Sequence, residues 1–193
     1  MQKLLSLFVT LTVCLSIYAQ ESAHLTFKGI PIDGTLQAYV QKLKNAGFSF
    51  SKYSDSGNMA FLNGTFTGKP VEVIVVASPK TKTVWKVSVY YPEQVSWYSI
   101  KTDYYDLVAS LTQKYGNPTD HYEFFMDPYY EGDGYEMQAV RMEKCHFISA
   151  FESSKGVISC EISKYEQLKV SYEDSLNSSK MRTERENAVQ EDL

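Results

Sequence analysis

The spacing of apolar residues predicts a helix shortly after residue 33. Its apolar stripe repeats at intervals of three and four residues and consists of Leu36, Tyr39, Val40 and Leu43. Asp33 is the expected N-cap of this helix, and Gly47 is expected to end it. Because the stripe occupies only one side, the helix should pack on a sheet or on another helix.

Short runs rich in β-branched and aromatic residues follow this helix. They predict strands at residues 48–53, 59–67, 71–77 and 85–91. Asn63-Gly64 interrupts the second run and indicates either a β-bulge or a tight turn.

The second half of the chain repeats this order. A helix is expected from about Asp103 to Gly116, with further strands at 122–125, 145–151, 157–162 and 168–172. Lys86-Val87-Ser88 recurs as Lys169-Val170-Ser171, 83 residues later. We therefore predict an α+β protein of two tandem units, residues 20–96 and 97–172, with the helices packed on one face of the antiparallel sheet. Residues 173–193 lack aromatic residues and a strand pattern, and we expect them to form a flexible acidic tail, with a helix around Lys180 to Val189 as the alternative.

Residues 1–19 have the pattern of a cleavable signal peptide. Lys3 precedes a charge-free apolar run over residues 4–17, and Ala19 is a suitable small residue before the cleavage point. The run is shorter than the roughly 20 residues of a membrane-spanning helix. Cys14 leaves a lipoprotein as the less favoured alternative. We therefore predict a periplasmic or secreted protein with no membrane contact beyond this export signal.

Charge restricts the class of partner. The 193 residues carry 19 basic and 23 acidic side chains, a net charge of −4. This acidity, without a basic cluster, argues against nucleic acid as a partner. No cofactor motif occurs. The acidic segment at residues 127–136 could bind Ca²⁺, but its spacing does not match an EF-hand, and we interpret it as an exposed loop.

Removal of the signal peptide leaves two cysteines, Cys145 and Cys160. In an exported chain such a pair is most simply a disulfide across a β-hairpin, and two buried thiols are the alternative. A nucleophilic Cys160 activated by His121 is conceivable, but we do not expect it.

Aromatic residues are concentrated in the second half. Of the 15 tyrosines, ten lie between Tyr90 and Tyr135. Tyrosine and tryptophan are favoured at contact surfaces because they offer a large apolar area with a polar tip. The candidates for an exposed binding surface are Trp97, Tyr98, Tyr129, Tyr130 and Tyr135.

These features favour a non-catalytic binding module that presents the aromatic surface to a protein or glycan. An inhibitory module is one form that this prediction includes. The alternative is a hydrolase of glycan or peptidoglycan that uses paired carboxylates among Asp127, Glu131, Asp133 and Glu136. The sequence does not decide whether the protein is an enzyme.

Two resemblances bear on this prediction. Residues 25–36, with the helix and Gly47-Phe48 after them, resemble small exported proteins of gram-negative anaerobes. The tandem order of helix and antiparallel strands is similar to modules of the β-lactamase-inhibitor-protein and PepSY-like type. That resemblance implies a binding or inhibitory module, and it assigns no functional residue in this chain.

Overall fold

The computed structural model describes residues 22–191 and shows an α+β protein, as the sequence predicted. The predicted signal peptide, residues 1–19, and Cys14 lie outside these residues. The helices in this range are α1 (Leu36–Asn45), α2 (Trp97–Tyr115), α3 (Glu136–Arg141) and α4 (Ser175–Glu191). The strands are β1 (Thr26–Phe27), β2 (Ile30–Pro31), β3 (Ser49–Tyr53), β4 (Met59–Phe66), β5 (Lys69–Ala77), β6 (Val84–Tyr90), β7 (Asp120–Phe125), β8 (Cys145–Ser153), β9 (Gly156–Ser163) and β10 (Gln167–Asp174).

Eight of the strands form one antiparallel sheet, and β1 and β2 form a separate short pair. The order in the large sheet is β3-β4-β5-β6-β10-β9-β8-β7. Two four-stranded meanders therefore meet where β6 pairs with β10. At this junction Ser88 faces Ser171, and their hydroxyl oxygens are 3.1 Å apart.

The core lies where the helices α1 and α2 pack against this sheet. Alternate residues of β5, β8 and β9 are buried. Helix α1 packs against β3, β4 and β5, whereas α2 packs against β9 and β10. The predicted stripe of α1 is confirmed, since its buried residues are Leu36, Tyr39, Val40 and Leu43.

The N-cap of α1 is Thr35, not Asp33 as expected. Its hydroxyl oxygen accepts a hydrogen bond from the Ala38 N–H at 3.4 Å. The carboxylate of Asp33 instead accepts a hydrogen bond from Asn177 Nδ2 at 2.9 Å, so it holds α4 in place.

Helix α2 begins at Trp97, well before the expected start near Asp103. Ser96 is the N-cap, and its hydroxyl oxygen accepts a hydrogen bond from the Ser99 N–H at 3.4 Å. A serine cap of this kind satisfies an N–H group that has no partner within the helix. The earlier start brings Trp97 and Tyr98 onto the first turn.

The expectation of a bulge or turn at Asn63-Gly64 is wrong. Strand β4 continues through this pair, with Asn63 opposite Glu72 and Gly64 opposite Val71. The glycine provides space, because a Cβ atom at residue 64 would lie 2.3 Å from Cδ1 of Phe48. Glycine in a strand often marks such a close approach.

The C-terminal segment forms β10 and α4, in place of the flexible acidic tail expected over residues 173–193. Residues 192 and 193 lie outside the described range. The buried carboxylate of Asp174 accepts hydrogen bonds from the N–H groups of Leu25 (2.8 Å) and Asn177 (2.9 Å). The Asn177 side chain donates to the carbonyl oxygens of Ile32 and Val84. Polar contacts distant in sequence thus fix a segment whose composition indicated a solvated tail.

Cys145 and Cys160 do not form the expected disulfide, and both are free and buried. They lie on neighbouring strands, but the residue opposite Cys160 is Ser149, four positions beyond Cys145. At about 3.4 Å per residue this offset is ~14 Å, whereas a disulfide needs Cα atoms within about 7 Å. The β8–β9 hairpin was predicted, and its register excludes the bond.

Candidate functional site

The structure divides the five aromatic candidates into two groups. Tyr98, Tyr130 and Tyr135 keep 80%, 65% and 61% of their surface exposed. Trp97 and Tyr129 are partly buried and pack against the core. The first group is therefore available to a partner, and the second supports the backbone that carries it.

Trp97 anchors the start of α2 to the sheet. Its ring centroid lies 5.1 Å from that of Phe147 and 5.4 Å from that of Phe125, and both pairs meet edge to face. Each such contact contributes about 0.5–1.5 kcal/mol beyond the buried area. The first turn of α2, which includes Tyr98, is thereby fixed on the sheet.

The loop at residues 126–135, between β7 and α3, is held by its own carboxylates. Asp133 accepts hydrogen bonds from the backbone N–H groups of Tyr130 (3.1 Å) and Tyr135 (2.7 Å). Glu136 accepts one from the N–H of Gly132 at 2.8 Å. Tyr130 and Tyr135 therefore project from a backbone that is fixed on both sides of the glycine-rich turn.

Lys101 connects this loop to α2. Its ammonium forms an ion pair with Glu131 and lies 5.9 Å from the ring centroid of Trp97. Tyr98 is one helical turn before Lys101, and Tyr130 directly precedes Glu131, so the ion pair joins the helix turn and the loop that carry the two tyrosines. We refer to this surface as the aromatic corner, and it comprises Tyr98, Lys101, Tyr130, Glu131 and Tyr135.

A chain of polar side chains lies next to the aromatic corner, between α2 and the β7 edge of the sheet. Ser149 Oγ is 2.7 Å from the Tyr104 hydroxyl and 2.8 Å from Nδ1 of His121. Nε2 of His121 is 3.1 Å from a carboxylate oxygen of Glu123. The second oxygen of Glu123 accepts a hydrogen bond from the Tyr105 hydroxyl at 2.9 Å. The chain runs from a fully buried hydroxyl to the solvent.

Sequence reasoning missed this polar chain because its members come from α2, β7 and β8. One available signal was the spacing of His121 and Glu123, which places both side chains on the same face of a strand. The pairing of Lys101 with Glu131 was also missed, since the pattern does not distinguish this lysine from the other lysines.

The order of Ser149, His121 and Glu123 is that of a nucleophilic triad, hydroxyl to imidazole to carboxylate. Ser149, however, is completely buried, and its hydroxyl oxygen is also bonded to Tyr104. A nucleophile must reach the reacting atom of a substrate. The contacts therefore favour a structural role for these three residues, in which they satisfy one another's polar groups.

Burial controls the ionisation of several groups near this chain. Together with the hydrogen bond to Glu123, it raises the pKa of Tyr105 to about 12. Burial, with a contribution from the Glu131 carboxylate, raises the pKa of Cys145 to about 12. It also raises the pKa of Cys160. Both thiols are thus protonated at neutral pH, whereas a cysteine nucleophile acts as the thiolate.

The carboxylates of the acidic loop are directed at protein groups. Asp133 and Glu136 accept backbone N–H bonds, and Glu131 pairs with Lys101. Within residues 22–191, no group of three or more His, Cys, Asp and Glu side chains is placed to hold a metal ion. Across the same residues, no helix has the length and apolar character needed to span a membrane.

The fold and this site together define an α+β protein with an exposed aromatic surface on an anchored loop and helix turn. No protein-family model matches the chain, and neither a curated protein nor a solved structure is significantly similar to it. The resemblances of residues 25–36 and of the element order therefore stay predictions.

Proposed function

We propose that this protein is an exported, non-catalytic binding module, and that the aromatic corner contacts a protein or a glycan. The observation that carries the proposal is the exposure of Tyr98, Tyr130 and Tyr135, each with at least 61% of its surface in solvent. Large exposed aromatic side chains in a group are typical of interaction sites.

The anchoring beneath these tyrosines supports the same role. Trp97 fixes the helix turn, and Asp133 and Glu136 fix the loop through backbone hydrogen bonds. Binding costs less conformational entropy when the contacting groups are already held in position. Tyrosine adds little further cost because it has only two side-chain torsions.

The shape of the surface favours a macromolecular partner. Five cavities among residues 22–191 are lined by other side chains, and none of these linings includes Tyr98, Tyr130 or Tyr135. Small ligands are usually enclosed in a cleft, whereas protein interfaces are broad and shallow. Projecting tyrosines therefore fit a protein surface, or the exposed side of a glycan chain, better than a small enclosed molecule.

The engagement of the loop carboxylates favours binding over hydrolysis. Of the four acids considered for a hydrolase, Glu131, Asp133 and Glu136 already pair with Lys101 or with backbone N–H groups. A catalytic acid or base must instead be free to exchange a proton with the substrate.

Within this proposal the chain is built from two tandem units, residues 20–96 and 97–172, whose main helices cover one face of the sheet. The mirrored strand order about β6 and β10 supports this interpretation. So does the pairing of Ser88 with Ser171, because both end the repeated Lys-Val-Ser tripeptide. The aromatic corner belongs to the second unit, since a short turn between β3 and β4 takes the place of its loop and α3. Residues 1–19 would direct the protein to the periplasm or outside the cell.

The proposal is tested by replacing Tyr98, Tyr130 and Tyr135 together with alanine. A photo-crosslinking residue at position 130 first identifies the protein partner in the native host, and a glycan panel covers the other partner class. The affinity of the purified partner is then measured by calorimetry. We expect the triple variant to lose about 2 kcal/mol or more, as hot-spot residues do.

The matched control is Tyr53→Ala with Tyr165→Ala, which removes tyrosines that are 40% and 63% exposed elsewhere on the surface. This control should bind as the wild type does. Equal affinity of the triple variant and the wild type, at equal melting temperature, would contradict the proposal.

A further inference from the structure

The two edge strands of the eight-stranded sheet, β3 and β7, differ in how well they are protected against pairing with a further strand. Strand β3 has a bulge between Phe50 and Lys52 and carries that lysine at the edge. Bulges and edge lysines both discourage pairing with another strand. Strand β7 pairs regularly with β8 over all six residues and contains neither lysine nor proline. Its Tyr122 and Phe124 are 51% and 46% exposed, so β7 presents two aromatic side chains and has neither the bulge nor the lysine that protects β3.

Alternate residues of β7 direct their backbone groups away from the sheet. The N–H of Met126 donates to the carbonyl oxygen of Lys144 at 2.7 Å, which extends the β7–β8 ladder by one pair. Hydrogen-bonded and non-hydrogen-bonded pairs alternate in an antiparallel ladder. Even-numbered residues of β7 therefore bond to β8, while His121, Glu123 and Phe125 point their N–H and C=O groups outward.

We propose that β7 is a dimerisation edge at which two copies of this chain pair antiparallel around a two-fold axis at Tyr122. Facing residues in such a pair lie on the same side of the sheet, so the axis must pass through a residue. With the axis at Tyr122, His121 faces Glu123 of the second copy, and Glu123 faces His121. Both pairs fall at the positions whose backbone groups point outward, so each also forms two backbone hydrogen bonds.

The charges of β7 select this register. An axis at Glu123 would place two carboxylates opposite each other, and like charges at facing positions destabilise a strand pair. An axis at His121 would leave both carboxylates without an imidazole opposite. The axis at Tyr122 instead joins two imidazoles and two carboxylates, and it brings the exposed Tyr122 side chains together on the other face.

A cysteine at the axis tests the geometry. Tyr122 is the one residue of β7 that lies opposite the same residue of the second copy. This is a non-hydrogen-bonded position, where the two Cα atoms are about 4.5 Å apart and so within the range of a disulfide. We expect Tyr122→Cys, in a Cys14→Ser background of the full chain, to form a disulfide-linked dimer on mild oxidation. Phe124→Cys is the matched control, because the two copies of this residue would be at least ~14 Å apart and should not join. Cys145 and Cys160 are buried and do not compete.

Sedimentation velocity over a wide range of protein concentration supplies the second measurement. The Cys14→Ser chain should form a dimer, and Glu123→Lys should weaken it by about tenfold or more, since both facing pairs are lost together. Ser51→Lys, at the β3 edge, should leave the dimer unchanged. A monomer at every concentration, or equal crosslinking through residues 122 and 124, would overturn the proposal.

Discussion

Helices α1 and α2 both pack on the eight-stranded sheet, but their contacts differ in chemistry. Each helix places a completely buried tyrosine against the strands, Tyr39 in α1 and Tyr104 in α2. The Tyr39 hydroxyl has no hydrogen-bond partner among residues 22–191. The Tyr104 hydroxyl lies 2.7 Å from Ser149 Oγ and begins the polar chain that reaches the β7 edge.

This difference shows how each helix is positioned. An apolar contact such as that of α1 depends on volume and tolerates small shifts, whereas hydrogen bonds require specific distances and angles. The polar chain therefore fixes α2 relative to β7 and β8. The aromatic corner begins on the same helix, and precise positioning is what a recognition surface needs.

The largest effect should come from removing the aromatic centre of the α2 contact. Phe147 is buried, and its ring centroid lies 5.1 Å from that of Trp97 and 5.6 Å from that of Tyr104. We expect Phe147→Ala to lower the free energy of unfolding by about 3–5 kcal/mol, because it removes apolar contacts and leaves a cavity. Urea denaturation measures the loss. A loss no larger than that of Tyr165→Ala, at an exposed position, would show that α2 is held mainly by other contacts.

The core packing beside α1 should be destabilised by overpacking. Gly64→Ala places a Cβ atom 2.3 Å from Phe48 Cδ1 and must displace that ring. We expect a loss of about 1–3 kcal/mol, measured by the same denaturation method. Phe48→Leu in the Gly64→Ala background should recover part of this loss, since leucine is smaller. Failure of that rescue would place the strain elsewhere in β4.

Periodicity was sufficient for some of the apolar elements of this structure. The stripe of α1 was predicted from its spacing, and so was the β8–β9 hairpin, because local pattern determines which side of an element is buried. The disulfide was predicted wrongly, because the pattern does not reveal that Cys160 faces Ser149.

The polar part could not be read from the sequence in the same way. The bonds of Asp174 to Leu25, and of Ser149 to His121, join residues far apart in the chain. Nothing in the neighbourhood of Asp174 indicates its partner, and for this reason the C-terminal segment was interpreted as a tail. Within the candidate surface, exposure depends on contacts between elements, so Trp97 and Tyr98 could not be separated before the fold was known.

The two buried tyrosines allow a direct comparison of the helices. Tyr104→Phe removes a hydroxyl that bonds to Ser149, and we expect a loss of about 1 kcal/mol. Tyr39→Phe removes a buried hydroxyl without a partner among the described residues, so stability should be unchanged or slightly higher. Both variants keep the ring, and thermal unfolding compares them directly. Equal losses would mean that the hydroxyls do not distinguish the two contacts.

The smallest expected effect is a change of pH dependence at the solvent end of the polar chain. Burial, and then the hydrogen bond to Glu123, raises the pKa of Tyr105 from 10.0 to about 12. Below pH 10.0 the Tyr105 phenol is protonated in both the folded and the unfolded chain, and its contribution to the free energy of unfolding is fully present. Between pH 10.0 and about 12 the phenol ionises in the unfolded chain only, so the free energy of unfolding falls as the pH rises. Tyr105→Phe should therefore make the alkaline decline of stability shallower than in the wild type, as measured by urea unfolding across this range. Glu123→Gln should do so to a smaller extent, because burial is the larger cause of the shift. Other buried tyrosines also contribute to the loss of stability at high pH. If the free energy of unfolding falls equally steeply with pH in Tyr105→Phe and in the wild type, the solvent end of the polar chain contributes nothing to the difference between the two helices.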